Sequence, residues 1–421
     1  MNSIVGGTRN CGRSRCSQAV SVVAAATALL TPLTTASSAR AQASSVLYSF
    51  QCVTTSDGAN PYGELIVDSA GNLYGTTQAG GDFNYGTVFE ISPGGTETVL
   101  YSFAGPPDDG SLPRAGVVRD AAGNLYGTTR TGGVHDEGTV FEVSAQGAET
   151  VLHSFFANKR DGAYPFGALL LDSAGNLYGT TSGGGTSFEG TIFRVSPAAT
   201  ESVLYSFGSS PGDGFSPEGS LVRDSAGNLY GTTGVGGAAG EGTVFEMSKG
   251  PVEVLLHTFT GPPDGGIPLA GAVRDPAGNL YGTTSEGGHP TQCPGQPFQG
   301  CGAVFKVTPT GQETLLYSFL GGADGGVPYS DLVMDPKGNL YGTSSQGGSS
   351  SNCDQGAEFV GCGVVFEITS AGRERVLHSF NSGSDGRVPY AGLLYSKGAL
   401  YGTTTLGGTT FDCGTVFKIT P

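Results

Sequence analysis

The tetrapeptide Leu-Tyr-Gly-Thr recurs along the chain with its tyrosine at positions 74, 126, 178, 230, 281, 341 and 401, at intervals of 52, 52, 52, 51, 60 and 60 residues. Self-similarity at a fixed period means that one supersecondary unit has been copied, and such a unit buries its faces only against its neighbours. Each copy reads as four short β-runs; in the first they are Glu64 to Asp68, Asn72 to Thr77, Gly86 to Ile91 and Thr98 to Phe103. β-Branched and aromatic residues bounded by Gly, Asn and Pro favour strands. Ser69-Ala70-Gly71 between the first two runs leaves no room for a crossover helix, so each unit is an antiparallel meander.

Seven such units predict an all-β fold, a seven-bladed β-propeller of four-stranded antiparallel blades, with an open solenoid as the rival. The ends of the repeat array separate the two. An extra fourth-type run, Val46 to Phe50, precedes the first unit, and the last unit finishes on a third-type run, Gly414 to Ile419. The last blade lacks a strand that the N-terminal strand supplies, a one-plus-three closure that removes the exposed edges of an open stack.

The cysteines point the same way. Cys11 and Cys16 fall in the leader described below, which leaves Cys52, Cys293, Cys301, Cys353, Cys362 and Cys413. Cys301, Cys362 and Cys413 each stand one residue before the Gly that opens a third strand, and Cys293 and Cys353 lie in the extra residues of the two longer units. Local bridges Cys293–Cys301 and Cys353–Cys362 follow. Cys52, just past the orphan strand, then meets Cys413 in an antiparallel pairing and locks the ring. Zinc ligation is the alternative, but no Cys-x-x-Cys accompanies these thiols.

Residues 1–43 have a basic stretch ending at Arg15, an apolar run Ala19 to Leu30 and the small-residue pattern Ala41-Gln42-Ala43, which is the arrangement of a signal peptide. The expected organisation is therefore a leader over 1–43, cleaved after Ala43, and a propeller over 44–421, secreted or periplasmic. The whole chain carries a formal net charge of −16 although the leader holds four arginines and no acid. Nucleic acid is thus a poor partner, and an anionic membrane surface would repel the protein.

Among polar motifs, Asp-Gly-x-x-Pro occurs in all seven units, starting at Asp57, Asp109, Asp161, Asp213, Asp264, Asp324 and Asp385. Asp caps nearby amides, Gly permits positive φ and Pro opens a strand, so these are turn residues. Asp68, Asp120, Asp172, Asp224, Asp275 and Asp335 close first strands before Gly-Asn and read as hairpin residues, with Ser396 in the seventh place. His153, His257 and His378 replace the outer-strand Tyr, and His135 and His289 lie in variable loops. No nucleophile elbow, zinc-protease helix or phosphate loop appears.

One set of residues varies where the turns do not. The residue after each loop Pro is Tyr62, Arg114, Phe166, Glu218, Leu269, Tyr329 or Tyr390. With inner strands around an axis, these positions either pack between blades or ring one mouth of the channel, on the face bearing Phe83, Tyr85, Phe188, Phe298, Phe359 and Phe411. Aromatic faces in such a mouth suit stacking on sugars.

The units GNLYGTTxxGGxxxxGTVFE and ETVLYSF resemble the GloVer (Gloeobacter/Verrucomicrobium) tandem repeat of secreted bacterial proteins, over Val46 to Pro421. Departures from the pattern fall at Ala303, Ser344, Val364 and Lys397-Gly398-Ala399. The resemblance implies a propeller and an exported location and brings no catalytic residues. The expected function is a secreted, non-catalytic interaction propeller, monomeric and without cofactor or metal, binding a glycan or a secreted or surface protein. Tyr62, Arg114, Phe166, Glu218, Tyr329 and Tyr390 are its candidate ligand contacts. The alternatives are a propeller enzyme of lyase or lactonase type and a structural component of the cell envelope or matrix.

Overall fold

The computed structural model describes residues 43–52, 56–249, 253–353, 360–409 and 412–421; residues 1–42 of the expected 1–43 leader, Phe359 and Phe411 lie outside them. Seven four-stranded antiparallel sheets make up the fold, and a single 3-10 turn, Gly383–Asp385, is the only helical element among the described residues. The first blade contains Ile66–Val67, Leu73–Thr77, Thr87–Ile91 and Glu97–Ser102, paired in that order from the axis outward. The innermost strand is shorter than its sequence suggests. Around the axis each inner segment runs backbone against backbone with the next, so close that a Cβ on Gly63 would lie 2.4 Å from the Gly116 nitrogen.

The seventh blade contains Leu394–Ser396, Ala399–Thr404 and Thr415–Thr420 and is completed on its outer edge by Ala43–Ser49. That strand runs antiparallel to the last one, from Ala43 opposite Thr420 to Ser49 opposite Thr415. The expected one-plus-three closure is therefore how the ring shuts. All three expected disulfides are present: Cys293–Cys301, Cys353–Cys362, and Cys52–Cys413 across a sequence separation of 361 residues. A cross-link of that span restricts the unfolded chain by roughly 5 to 6 kcal/mol in the loop-entropy account.

The core lies between blades. Phe103, which follows the outer strand of the first blade, meets Phe141 on the third strand of the second, edge to face at 5.0 Å between ring centres. The same contact recurs at every junction, including Phe50–Phe89 and Phe380–Phe417 at the closure, at 5.0 to 5.3 Å. Each third-strand Phe also covers the Gly of Leu-Tyr-Gly-Thr opposite it in register. A Cβ there would come within 2.5 to 2.7 Å of the ring at all seven positions, which is why the motif holds Gly inside a strand. At five junctions the following Thr donates to a carbonyl of the next blade's inner segment, as Thr76 does to Ala115 at 2.7 Å.

Turn residues behave as their chemistry predicts. Asp68 accepts from the amides of Gly71 and Asn72, the Asn72 side chain and the Tyr74 hydroxyl, which closes the hairpin. In the seventh unit Lys397 (φ 51°) and Gly398 (φ 78°) make a two-residue turn with both φ positive, so no Asp is required. One feature is not visible in the repeat: Leu100 is skipped between Val99 and Tyr101 in the outer pairing, a bulge repeated in all seven blades. A bulged outermost strand is a poor template for pairing with another chain.

Replacing Phe141 by Ala is expected to destabilise the protein by roughly 3 to 5 kcal/mol, the range for removing a buried aromatic ring. Chemical denaturation measures it, and a loss under about 1 kcal/mol would show that the junction Phe pair is not what joins the blades.

Candidate functional site

Each Asp-Gly-x-x-Pro turn delivers its next residue to the axis. Tyr62, Arg114, Phe166, Glu218, Leu269, Tyr329 and Tyr390 all line one axial cavity of about 470 Å³. The structure thus brings every one of the candidate mouth residues together. The loops carrying Phe83, Tyr85 and Phe188 lie on the same face, tied to the following blade by bonds such as Leu112 N–H to the Tyr85 carbonyl at 2.9 Å. Phe83 and Phe188 are more than half exposed, but none of the three rings reaches the cavity. Phe298 packs partly buried against the core between the fifth and sixth blades.

Within the mouth the rings face one another around the rim. Tyr62 stacks on Tyr390 at 5.3 Å and 17°, and Tyr329 leans on the other neighbour, Tyr390, at 5.3 Å. The Arg114 guanidinium lies between Tyr62 and Phe166, 5.1 and 5.3 Å from their centres, and Arg130 covers Phe166 at 5.1 Å. Cation–π and stacking contacts of this kind hold the side chains in place. They also occupy ring faces that the sequence suggested for sugars, so a ligand meets mainly edges and polar groups.

Of those polar groups Glu218 accepts from Ser216 at 3.4 Å, while among the described residues the phenols make no hydrogen bond to the protein. Elsewhere the ring's tyrosines donate to aspartates, as Tyr74 does to Asp68 and Tyr101 to Asp109. Among the described residues the hydroxyls of Tyr62, Tyr329 and Tyr390 hydrogen-bond to no protein group, and Nε of Arg114 has no partner. Burial raises the pKa of all three phenols, so they remain neutral donors, and it lowers that of Arg114. Burial also raises the Glu218 pKa, against the pull of Ser216, Arg114 and Arg130. Groups that can hydrogen-bond and do not, gathered in a cavity of this size, suit a small polar ligand.

Two residues of this cavity were missed in the sequence. Two positions beyond the mouth residue, the repeat places Glu64, Gly116, Ala168, Ser220, Gly271, Asp331 and Gly392. Five of these seven are small, as the tight inner packing requires. Glu64 and Asp331, from the first and sixth blades, meet across the channel on the cavity floor. Gly392 leaves the space that Glu64 fills, since a Cβ there would collide with Oε1. Asp331 accepts from the Gly271 amide at 2.5 Å and from Ser220. Burial and the adjacent Asp331 push the Glu64 carboxyl well above its ordinary range, whereas hydrogen bonds from Ser220, Gly271 and Glu64 oppose the rise that burial causes at Asp331. Burial raises both carboxyls, and two acids that hydrogen-bond to one another share a proton between them. Below it a second, smaller chamber is lined by Ile66, Val118, Val222, Val273 and Val333. The signal in the sequence was an acid at two of seven places in a register of small residues.

A seven-bladed propeller with a polar axial mouth over an acidic floor is the class of protein these features define. The chain belongs to the Gloeobacter/Verrucomicrobia repeat family, whose profile matches residues 33–222, 157–359 and 217–421. Among curated proteins none matches. Of solved structures, virginiamycin B lyase from Staphylococcus aureus is similar with a TM-score of 0.56 at 12% identity, over 90% of this chain and 99% of that one. The extracellular domains of a proposed hybrid two-component system and a proposed one-component system from B. thetaiotaomicron are similar with TM-scores of 0.54 and 0.52 at 12% and 10% identity. They match 90% and 88% of this chain over 41% and 40% of theirs. Likeness at these identities shows the fold alone.

Because folding raises the Glu64 pKa, its contribution to stability is complete below the unfolded value near 4.5 and is lost as pH rises through the folded value. Glu64→Gln removes the ionisable group and keeps the shape. The melting temperature of the variant relative to the parent should therefore climb from about pH 5 to pH 9. A constant difference across that range would show that the floor does not hold a shared proton.

Proposed function

We propose that the protein is an exported, non-catalytic binding propeller whose axial mouth takes a neutral glycan. The observation that carries this reading is the set of unengaged hydroxyls of Tyr62, Tyr329 and Tyr390, beside Arg114 and Glu218, in one cavity. A sugar presents many hydroxyls, each donor and acceptor, and a site built from neutral phenols, one guanidinium and one carboxylate answers both roles. The aromatic edges supply apolar contact, and side chains already stacked on one another lose little freedom on binding. Export is supported by three disulfides and by the leader pattern over 1–43.

A second reading is favoured by the floor. Glu64 and Asp331, two buried carboxyls in contact whose pKa values are both raised, offer a shared proton for transfer to or from a ligand held above them. One fold neighbour is a lyase by name, which lends the reading analogy and no residue.

A glycan array probed with the full chain tests the first reading. The Tyr329→Ala, Tyr390→Ala double variant should weaken binding of the best oligosaccharide by about 1 to 3 kcal/mol without a matching drop in melting temperature. If no oligosaccharide binds, or if the double variant melts as early as Phe366→Ala, the mouth is not a glycan site. Products that accumulate from a bound oligosaccharide with the parent and not with Glu64→Gln would favour the second reading.

A further inference from the structure

The outer rim of each blade junction carries one repeated polar contact, and in three places its chemistry changes. At four junctions Tyr48, Tyr101, Tyr205 and Tyr317 donate their phenol to Asp57, Asp109, Asp213 and Asp324 at 2.8 to 3.1 Å. At the other three the place of Tyr is taken by His153, His257 and His378, with Nε2 at 3.1, 3.4 and 3.0 Å from Asp161, Asp264 and Asp385. A phenol keeps its proton at neutral pH and is no ligand there; a neutral imidazole offers a lone pair.

A third group completes two of these sites. Glu201, at the start of the third blade's outer strand, closes on His153 and Asp161, and Glu313 of the fifth blade closes on His257 and Asp264. In each trio the imidazole nitrogen and the two carboxylate oxygens lie within 4.8 Å of one another, and no other trio of this kind occurs among the described residues. The third histidine has no such partner. Opposite Ile419, where Glu201 stands opposite Val195 in the third blade, the closing strand brings Ser44 to the His378 junction.

Two carboxylates this close repel one another, and without a cation the relief is a proton. A divalent cation neutralises both carboxylates at once and takes the imidazole as well. His153 and Asp161 keep 20% and 13% of their side-chain surface, and His257 and Asp264 keep 18% and 17%. That opening serves for entry and for a water as fourth ligand. One imidazole and two carboxylates suit Zn²⁺ or a related first-row ion; Ca²⁺ requires more oxygens and no nitrogen.

We propose that the junctions between the second and third blades and between the fourth and fifth blades are transition-metal sites. Each holds a zinc-type divalent cation through one histidine, one aspartate and one glutamate, His153, Asp161 and Glu201 in the first and His257, Asp264 and Glu313 in the second. A metal in these places cross-links neighbouring blades on the rim, far from the axial mouth and independent of what that mouth binds.

The test is calorimetric titration of the tag-free, metal-stripped full chain with ZnCl₂, with CaCl₂ as the contrast. Two Zn²⁺ per chain are expected, and no Ca²⁺ at the same concentration. His153→Tyr and His257→Tyr should each remove one site and the pair should remove both. Tyr is what the fold itself carries at four sister junctions, so these variants are expected to melt with the metal-stripped parent, and Zn²⁺ should raise the melting temperature of the parent and not of the double variant. His378→Tyr should still bind two. Absence of Zn²⁺ binding, two sites surviving in the double variant, loss of a site in His378→Tyr, or equal binding of Ca²⁺ would each overturn the proposal.

Discussion

Everything in this ring depends on one contact, the edge of a phenylalanine at the end of an outer strand against the ring of a phenylalanine in the next blade. It recurs seven times with centres 5.0 to 5.3 Å apart. All but Phe417, which keeps 3% of its surface, of the rings in these pairs are 0 or 1% exposed. The contact dictates Gly in the neighbouring second strand, because the receiving ring lies on that residue's Cα. With the strands at that spacing the Thr beside the Gly reaches the next inner segment, and the inner segments close on one another around the axis. Seven turns then deliver seven variable side chains to one mouth. Packing at the periphery of each blade thus sets the radius of the site.

Much of this was legible from residues alone, because the repeat exposes its own rules. The strands, the closure by the run from Val46 to Phe50 and the three disulfides follow from register and count, although the closing strand begins earlier, at Ala43. What escaped was whatever depends on two distant units meeting. Glu64 reads as the first residue of a strand, and only the closed ring brings it against Asp331, five blades along the chain. His153 was seen as a replacement for Tyr, but Glu201 reaches it from the following unit. The mouth rings were legible as a set, while their mutual stacking was not, since neither Tyr62 nor Tyr390 announces the other as a neighbour. The Leu100 bulge left no mark because an outer strand with one residue skipped has the same composition as one without.

The division of labour between scaffold and site is sharp. Turn aspartates, junction phenylalanines and strand glycines repeat in nearly every unit and serve the frame. The seven mouth positions hold five residue types, and the tier beneath them departs from small residues only at Glu64 and Asp331. Such a frame tolerates change at its axis because the axial side chains carry little of the blade packing. The same fold serves a lyase and extracellular domains of signalling systems among its structural neighbours, so the ring alone does not set what such a protein does.

The central claim is that residues 43–49 are an integral strand of the last blade and that the ring unfolds as one body. Native-state hydrogen exchange tests it most directly, by comparing amides of Ser44–Tyr48 and Thr415–Thr420 with those of Thr87–Ile91 and its counterparts. The account predicts that the hydrogen-bonded amides of the closing pair share the opening free energy and denaturant dependence of the other blades, the signature of one global event. Exchange of the closing strand through a separate, low-energy opening, with the remaining blades still protected, would contradict it.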